Sequence, residues 1–257
     1  MLNQFKKSLI PFVMAGYPSF EESLRYSIVL IEEGATALEV GVPYSDPLAD
    51  GPVIQHAAHV ALSNGTNLNT VFSLVREIKK LHPNFPIILF TYLNPILRYG
   101  LKNYVRSAVQ AGADATLCVD LPPEEADAYV QFHREVNLNT VFLASPTTSP
   151  ERLKQIALFS TSFLYYVSRP GVTGEAAQVS STLAHELSAI RAEVSLPVAV
   201  GFGISTPEQA GTVSKYADAV VIGSRFLSLM ALGHEAEPQI RALARNSILA
   251  MNRGDQK

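Results

Sequence analysis

The chain has 257 residues, and 20 Lys and Arg residues against 23 Asp and Glu residues give a formal net charge of -3. Hydrophobic residues make up 47% and charged residues 17%, which excludes a disordered chain and is enough for a substantial core. No Lys/Arg run stands out, so nucleic acid is not an expected partner. The length fits one large α/β domain, and we expect residues 1–257 to form it.

The cellular setting is predicted from two features of the sequence. The single cysteine, Cys118, lies in an apolar run and is expected to be buried and structural rather than nucleophilic. Residues 1–7 lack the apolar stretch of a signal peptide, and no apolar run is long enough to span a membrane. We therefore expect a cytoplasmic protein without membrane contact.

Eight short apolar runs recur along the chain, and amphipathic stretches separate them. Their apolar character is nearly continuous, which indicates strands buried on both faces of a parallel sheet. Eight βα units in about 250 residues predict an α/β fold of the (β/α)₈ TIM-barrel class, although an open doubly wound sheet has the same periodicity. The predicted strands are Leu9–Met14, Ala35–Val40, Pro86–Thr91, Ala115–Val119, Asn139–Leu143, Phe163–Val167, Pro197–Val200 and Ala219–Ile222.

Helix starts are predicted where a capping-box pattern follows a strand. Pro150 and Pro207 suit the first turn of two of these helices, because proline is tolerated where the backbone N–H has no partner. The three patterns are Ser19 with Glu22, Thr148 with Glu151, and Ser205 with Glu208.

The most informative stretch, residues 39–55, starts at the end of the second predicted strand. Glu39 ends that strand, and the Pro- and Gly-rich loop after it carries Asp46 and Asp50. Because Leu38 and Val40 are apolar, we expect Glu39 to point into the barrel mouth, where burial would raise its pKa and suit it to proton transfer. Either aspartate fits a site role or plain turn chemistry beside Pro and Gly.

Two strand ends that contain glycine are typical of a phosphate site. Gly201-Phe202-Gly203 follows the seventh predicted strand, and Gly223-Ser224 follows the eighth. Glycines let backbone N–H groups approach an anion, and barrels often bind phosphate after their last two strands. The alternative is that these glycines serve tight turns alone. A third glycine is missing, so no dinucleotide site is predicted.

The remaining candidates have weaker signals. Residues 168–174 form a Gly- and Pro-rich loop, interpreted either as a lid over a substrate or as an ordinary surface loop. His56 and His59 have helical spacing but lack a third ligand, so we expect no metal site. Tyr92 and Tyr165 are by themselves more typical of core aromatics than of catalysts. No lysine ends a candidate strand, which argues against a Schiff-base aldolase among phosphate-binding barrels.

Together these motifs resemble the tryptophan synthase alpha subunit family over nearly the whole chain. This family is a (β/α)₈ barrel that uses no cofactor. It cleaves indole-3-glycerol phosphate to indole and glyceraldehyde 3-phosphate and passes the indole to a beta subunit that makes L-tryptophan. The resemblance implies an α2β2 heterotetramer. The resemblance is found in residues 11–13 with 15–18, 38–52, 120–125, 168–169 with 171–174, and 201–205, of which 38–52 is the most specific segment.

The resemblance also implies roles for individual residues. Glu39 would protonate indole C3 and deprotonate the glycerol hydroxyl, and Asp50 would hold the indole N–H and stabilise the indolenine cation. Tyr165 would contact the substrate beside Glu39. The implied indole pocket contains Phe12, Ile54 and Phe202; the phosphate site contains Gly174, Gly203, Gly223 and Ser224; loop closure over the substrate involves Asp46 and Thr173; and the partner interface contains Asp46, Asn94, Asp120 and Pro122.

The chain departs from the family pattern at a few positions near this site. Phe90 and Thr91 stand where enteric members carry smaller or more apolar residues, Tyr44 replaces the commoner Phe, and Pro170 stiffens the lid. A bulky Phe90 would narrow the indole pocket. These departures motivate an alternative function, in which the chain mainly activates a beta subunit allosterically and has weak or absent lyase activity.

Overall fold

The described part of the chain contains nine strands and eleven α-helices, and at least one helix follows each strand except β5. The computed structural model describes Leu2 and residues 5–167, 176–201 and 203–253, except for the side chains of 176–181 and 234. The strands are β1 (Ser8–Met14), β2 (Leu38–Gly41), β3 (Ile87–Thr91), β4 (Ala115–Cys118), β5 (Asn139–Val141), β6 (Leu143–Ala144), β7 (Leu164–Val167), β8 (Val198–Gly201) and β9 (Ala219–Ile222). The helices are α1 (Phe20–Glu32), α2 (Pro52–Ser63), α3 (Leu68–Leu81), α4 (Leu93–Tyr99), α5 (Leu101–Ala111), α6 (Asp127–Glu135), α7 (Pro150–Phe159), α8 (Ala176–Glu193), α9 (Pro207–Val213), α10 (Ser224–Met230) and α11 (Ala236–Asn252).

The sheet closes on itself between β5 and β6. Neighbouring strands are parallel and follow the order β5-β4-β3-β2-β1-β9-β8-β7-β6. The two ends of this order are consecutive in the chain and separated by Phe142 alone. The Tyr165 amide of β7 donates to the Phe142 carbonyl at 3.1 Å, so both ends of the sheet meet at this residue. The predicted TIM barrel is confirmed, and the open sheet is excluded.

The predicted strand over Asn139–Leu143 is two short strands. The Phe142 amide donates to the Ser160 hydroxyl at 3.2 Å instead of a strand carbonyl, which interrupts the ladder. The second predicted strand begins later than expected, at Leu38, because Ala35 still bonds to Leu30 in the turn after α1. The other predicted strands agree with the structure to within a few residues.

Alternate strand residues face the barrel interior or the surrounding helices. On β2, Leu38 and Val40 pack between the sheet and the helices, whereas Ala37, just before the strand, packs inside the barrel. Glu39 therefore faces inward, because successive side chains of a strand point to opposite faces. Its exposed fraction is 1%. The structure therefore places the Glu39 carboxyl group inside the barrel, as the sequence predicted.

The helix starts confirm one capping prediction and correct two. Ser19 caps α1 by accepting a hydrogen bond from the Glu22 amide. The cap of α7 is Ser149 rather than Thr148, and the cap of α9 is Thr206 rather than Ser205. Both errors have one cause. Proline takes the first helical position in each helix, so the residue immediately before it becomes the cap.

Glu33 connects the first helix to the last one. It accepts hydrogen bonds from Arg241 at 3.0 Å and from Arg245 at 2.9 Å. Burial by itself would raise the pKa of Glu33, but the two guanidinium groups outweigh it and lower that pKa. These ion pairs join α11 to α1 after the chain has passed around the barrel. Among the described helices, none has the length and apolar character required to cross a membrane.

Candidate active site

A cavity of about 440 Å³ lies at the carboxyl ends of the barrel strands. Glu39 of β2 and Tyr165 of β7 line it from inside the barrel, and Asp50 reaches it from the loop after β2. Its volume falls in the range of small-molecule pockets. The other lining residues are Phe12, Gly51, Ile54, Phe90, Gly203, Ile204, Ser205, Val221, Gly223, Ser224 and Arg225.

Glu39 is a buried acid whose carboxyl group has an unused hydrogen-bonding atom. Burial raises its pKa from 4.5 to about 8, so most of the population is protonated at neutral pH. No described residue offers a hydrogen-bond partner to Glu39 Oε1. An unpartnered polar atom in a cavity wall is available to a ligand. Glu39 can therefore both donate a proton to a bound molecule and accept one from it.

Asp50 is held by a tyrosine from the neighbouring strand end. The Tyr92 hydroxyl donates to Asp50 Oδ2 at 3.0 Å and itself accepts from the Ala49 amide at 3.1 Å. Burial raises the pKa of Asp50 to about 6, and the bond from Tyr92 lowers it in part. Asp50 is therefore largely ionised at neutral pH while Glu39 is largely protonated. Two carboxyl groups with separated pKa values are typical of acid/base sites.

Tyr165 lies across Gly201 of the adjacent strand. A methyl group placed on Gly201 would come within 2.0 Å of the Tyr165 hydroxyl oxygen. Tyr165 is 6% exposed, and burial and the charge of Glu39 both raise its pKa. Gly201 is therefore needed for close approach of the tyrosine rather than for an unusual backbone angle. This explains one glycine that the sequence associated with a phosphate turn.

We predict that Gly201→Ala displaces Tyr165 and impairs the site. A shift of about 1 Å in a side chain that lines an active site lowers catalytic efficiency by on the order of 10- to 100-fold. Steady-state kinetics would measure this effect, with circular dichroism and thermal unfolding as the control for folding. Unchanged kcat and KM in a folded variant would show that the Tyr165 position is unimportant.

The apolar wall of the cavity consists of aromatic rings. Phe12 and Phe90 meet edge to face with ring centroids 5.3 Å apart. Gly41 makes room for Phe12, because a methyl group there would lie 2.4 Å from Phe12 Cζ. Ile54 of α2 adds an aliphatic side chain. These residues give this part of the cavity an apolar lining that suits an aromatic ring. Phe90 occupies part of this space but leaves a cavity.

The glycine-containing turns face the same cavity. Gly203 has φ of +74°, a left-handed angle that favours glycine, and among the described residues other than its chain neighbours no atom lies within 4 Å of a methyl group placed on it. Gly223 caps α10, and Ser224 is the first residue of that helix. Three other predicted site residues, Thr173, Gly174 and Phe202, lie outside the described residues, and so does Pro170.

The residues predicted for a partner interface lie in three neighbouring segments, which are two loops and the first turn of α4. Asp46, Asn94 and Asp120 with Pro122 follow β2, β3 and β4, which are adjacent in the barrel. Asn94 donates to the Tyr44 hydroxyl at 3.0 Å, and Asp120 accepts from the Leu93 amide at 2.7 Å. Asp46, Asn94 and Asp120 are exposed, whereas Pro122 is half-buried. The three segments are therefore adjacent at the carboxyl ends of the strands.

Sequence reasoning missed several residues that this geometry makes important. Tyr92 was expected to be a core aromatic, yet its hydroxyl group holds Asp50. A tyrosine one residue beyond β3 was the only signal, and it does not specify a partner. Leu48, 94% exposed, lies in the loop after β2, and Leu97, 59% exposed, lies in α4. Their apolar character was visible in the sequence, but their exposure was not.

The barrel and this pair of carboxyl groups define a TIM-barrel enzyme whose site lies at the carboxyl ends of its strands. The tryptophan synthase alpha chain family profile matches residues 1–254. The chain belongs to the tryptophan synthase alpha chain family.

Individual relatives are similar over most of their length. The tryptophan synthase alpha chain of Solibacter usitatus (strain Ellin6076) is 44% identical over 225 residues, which cover 88% of this chain and 84% of the relative. The crystal structure of tryptophan synthase subunit alpha from Legionella pneumophila str. Paris superposes with a TM-score of 0.89 at 37% identity, covering 96% of this chain and 93% of that one. A chain of tryptophan synthase from M. tuberculosis gives a TM-score of 0.86 at 31% identity, covering 97% and 93%.

Proposed function

We propose that Glu39 and Asp50 carry out the lyase reaction of this family, in which indole-3-glycerol phosphate is cleaved to indole and glyceraldehyde 3-phosphate. The observation that carries the proposal is the placement of a protonated, buried Glu39 and an ionised Asp50 in the wall of one cavity. The reaction needs a proton delivered to a ring carbon and a positive charge stabilised nearby. The two carboxyl groups supply these two functions.

The proposed steps conserve atoms and charge. Glu39 gives its proton to indole C3, which produces an indolenine cation, and the Asp50 carboxylate accepts a hydrogen bond from the ring N–H. The Glu39 carboxylate then removes the proton of the hydroxyl on the carbon attached to C3. That carbon becomes the aldehyde of glyceraldehyde 3-phosphate as the C–C bond breaks. The bonding electrons return to the ring and regenerate indole.

The cavity has an apolar part, which would bind the indole ring, and a part lined by backbone, which would bind the phosphate. Phe12, Ile54 and Phe202 would hold the indole ring, with Tyr165 beside the reacting carbon. The phosphate would bind at Gly174, Gly203, Gly223 and Ser224, with Thr173 helping to enclose it. The space that the described residues leave beside Gly203 and the start of α10 at Ser224 support this orientation.

The alternative, an allosteric activator with little lyase activity, rests on the departures at Phe90 and Pro170, of which only Phe90 is among the described residues. Phe90 packs against Phe12 and leaves about 440 Å³ of cavity, which favours the lyase. The two functions are separated by measuring indole release from indole-3-glycerol phosphate with and without a beta subunit. Robust cleavage by the complex would reject the activator. Strong stimulation of the beta reaction with negligible cleavage would favour it.

We also propose that the chain assembles with a beta subunit as an α2β2 heterotetramer, through the loops that carry Asp46 and Asp120 with Pro122 and through the start of α4, which carries Asn94. An exposed leucine in such a loop, Leu48, supports this proposal, because burial of a leucine contributes roughly 1.5–3 kcal/mol. Leu48→Ser is therefore expected to weaken assembly by on the order of tenfold or more. Leu158→Ser is the matched control, since Leu158 is 70% exposed at the far end of α7. Equal affinities of the two variants for the beta subunit would contradict this interface.

A further inference from the structure

A buried cluster of polar side chains lies between β4 and α6, outside the active-site cavity. Thr116 of β4 and Tyr129 and His133 of α6 are at most 3% exposed. The Thr116 hydroxyl bonds to the Tyr129 hydroxyl and, at 2.8 Å, to His133 Nε2. The rings of Tyr129 and His133 lie with their centroids 4.0 Å apart. None of these three residues lines the cavity of the proposed reaction, so the cluster has no part in that chemistry.

The hydrogen bonds of this cluster run in one consistent direction. His133 Nδ1 lies 2.6 Å from the Tyr129 carbonyl oxygen, which can only accept, so Nδ1 carries the ring hydrogen. His133 Nε2 then accepts from the Thr116 hydroxyl, and Thr116 accepts from the Tyr129 hydroxyl. Burial raises the pKa of Tyr129 well above its usual value, so this hydroxyl group keeps its proton. Every side-chain polar hydrogen of the cluster therefore has an acceptor while His133 is neutral.

A second proton on His133 disrupts this arrangement. The new Nε2–H has to donate to Thr116, and the Thr116 hydroxyl then has to donate to Tyr129. This leaves the Tyr129 hydroxyl hydrogen without an acceptor. The Tyr104 hydroxyl of α5 interacts electrostatically with Tyr129, but it makes no hydrogen bond to any described residue. Protonation of His133 therefore costs the cluster a buried hydrogen bond.

The charge of a protonated His133 also lacks a compensating partner. Besides Tyr129, the titratable groups around the cluster are Tyr104 of α5 and Cys118 of β4, and burial raises the pKa of both, which keeps them neutral. The charged side chains of α5, of α6 and of residues 119–126 are all exposed. An unpaired charge in the protein interior is costly. Burial accordingly lowers the pKa of His133 from 6.5 to about 4.

We propose that Thr116, Tyr129 and His133 form an acid-sensitive lock, which joins α6 to β4 while His133 is neutral and opens when His133 takes up a proton. Residues 119–126 connect β4 to α6, so opening of the lock releases one end of this segment. The lock is stable above the ordinary pKa of histidine, and its stability falls as the pH drops from 6.5 toward 4. This inference depends on neither the lyase proposal nor the assembly proposal.

Amide hydrogen exchange of the full chain at pH 7 and pH 5, corrected for the intrinsic exchange rates, tests this lock. The protection of α6 is expected to fall by about tenfold or more at pH 5, whereas that of α11 should change several-fold less. In His133→Gln the side-chain carbonyl can still accept from Thr116 and does not titrate, so this fall should disappear. His59→Gln is the matched control, because His59 is exposed on α2, and it should show the same fall as the unmodified chain.

A second measurement uses the unmodified chain alone. Nuclear magnetic resonance of the His133 imidazole nitrogens is expected to show the hydrogen on Nδ1 at pH 7 and a titration midpoint below about 5. The proposal is overturned if α6 is equally protected at both pH values, or if protection falls equally throughout the chain. It is also overturned if the fall persists in His133→Gln or disappears in His59→Gln. A hydrogen on Nε2, or a midpoint near the ordinary value of about 6.5, would overturn it independently of the variants.

Discussion

Glu39→Gln is expected to lower kcat/KM for cleavage of indole-3-glycerol phosphate by about 10²- to 10⁴-fold, the usual contribution of a positioned acid/base group. The amide keeps the shape of the side chain but can neither donate a proton to carbon nor remove one from a hydroxyl group. Indole release under steady-state conditions measures this loss. A rate within about threefold of that of the unmodified chain would show that Glu39 is not the acid/base group.

The same substitution is expected to stabilise the fold. Because the folded-state pKa of Glu39 is raised from 4.5 to about 8, Glu39 lowers the free energy of unfolding progressively as the pH rises through this interval. At pH 8 this decrease in the free energy of unfolding reaches roughly 3–5 kcal/mol, because the folded protein must either bury the charge or keep the proton. Glutamine does not titrate and causes no such decrease. Thermal unfolding should show Glu39→Gln more stable at pH 8, with the difference shrinking toward pH 4.5. An equal difference at both pH values would mean that Glu39 is not buried as described.

Asp50→Asn is expected to cause the second large loss, of about 10²- to 10³-fold in kcat. The asparagine carbonyl oxygen can still accept the indole N–H, so substrate binding should persist, but the negative charge that stabilises the indolenine cation is gone. Kinetic measurements should therefore show the loss mainly in kcat. A rise in KM alone would assign Asp50 to ground-state binding.

Tyr92→Phe is the companion to this variant. It removes the hydroxyl that holds Asp50 and that lowers the Asp50 pKa, while leaving the carboxylate in place. Activity at low pH should fall more than activity at neutral pH, because Asp50 then keeps its proton to a higher pH. An identical loss at all pH values would indicate a purely structural role for Tyr92.

The barrel could be predicted from the sequence because its physical causes are local. Strands buried on both faces need continuous apolar runs, and these runs recur eight times. The inward direction of Glu39 followed from its apolar neighbours Leu38 and Val40 and is confirmed by its burial. Helix caps were less certain, because Ser and Thr compete at successive positions until a proline fixes the first turn. The break at Phe142 depends on a bond to Ser160, 18 residues away, which no local pattern encodes.

Long-range contacts also explain what the sequence could not predict about the site. Asp46 and Asp50 were equivalent as turn residues. Asp50 lies in the cavity because Tyr92, 42 residues further along the chain, holds it there, whereas Asp46 remains exposed. The close fit of Tyr165 on Gly201 similarly joins two strands that meet only in the closed barrel. The resemblance to a family predicts roles for Glu39, Asp50 and Tyr165, and the contacts of Asp50 and Tyr165 explain how these two side chains reach the cavity.

The pH dependence of kcat/KM for indole release tests the central claim most directly, because this parameter reports the ionisation of groups in the free enzyme. An ionised Asp50 and a protonated Glu39 coexist between their pKa values of about 6 and about 8. The predicted result is a bell-shaped profile with midpoints near these two values, whose alkaline limb is lost in Glu39→Gln. A flat profile between roughly pH 5 and 9, or an alkaline limb that persists in Glu39→Gln, would contradict the assignment of the two carboxyl groups.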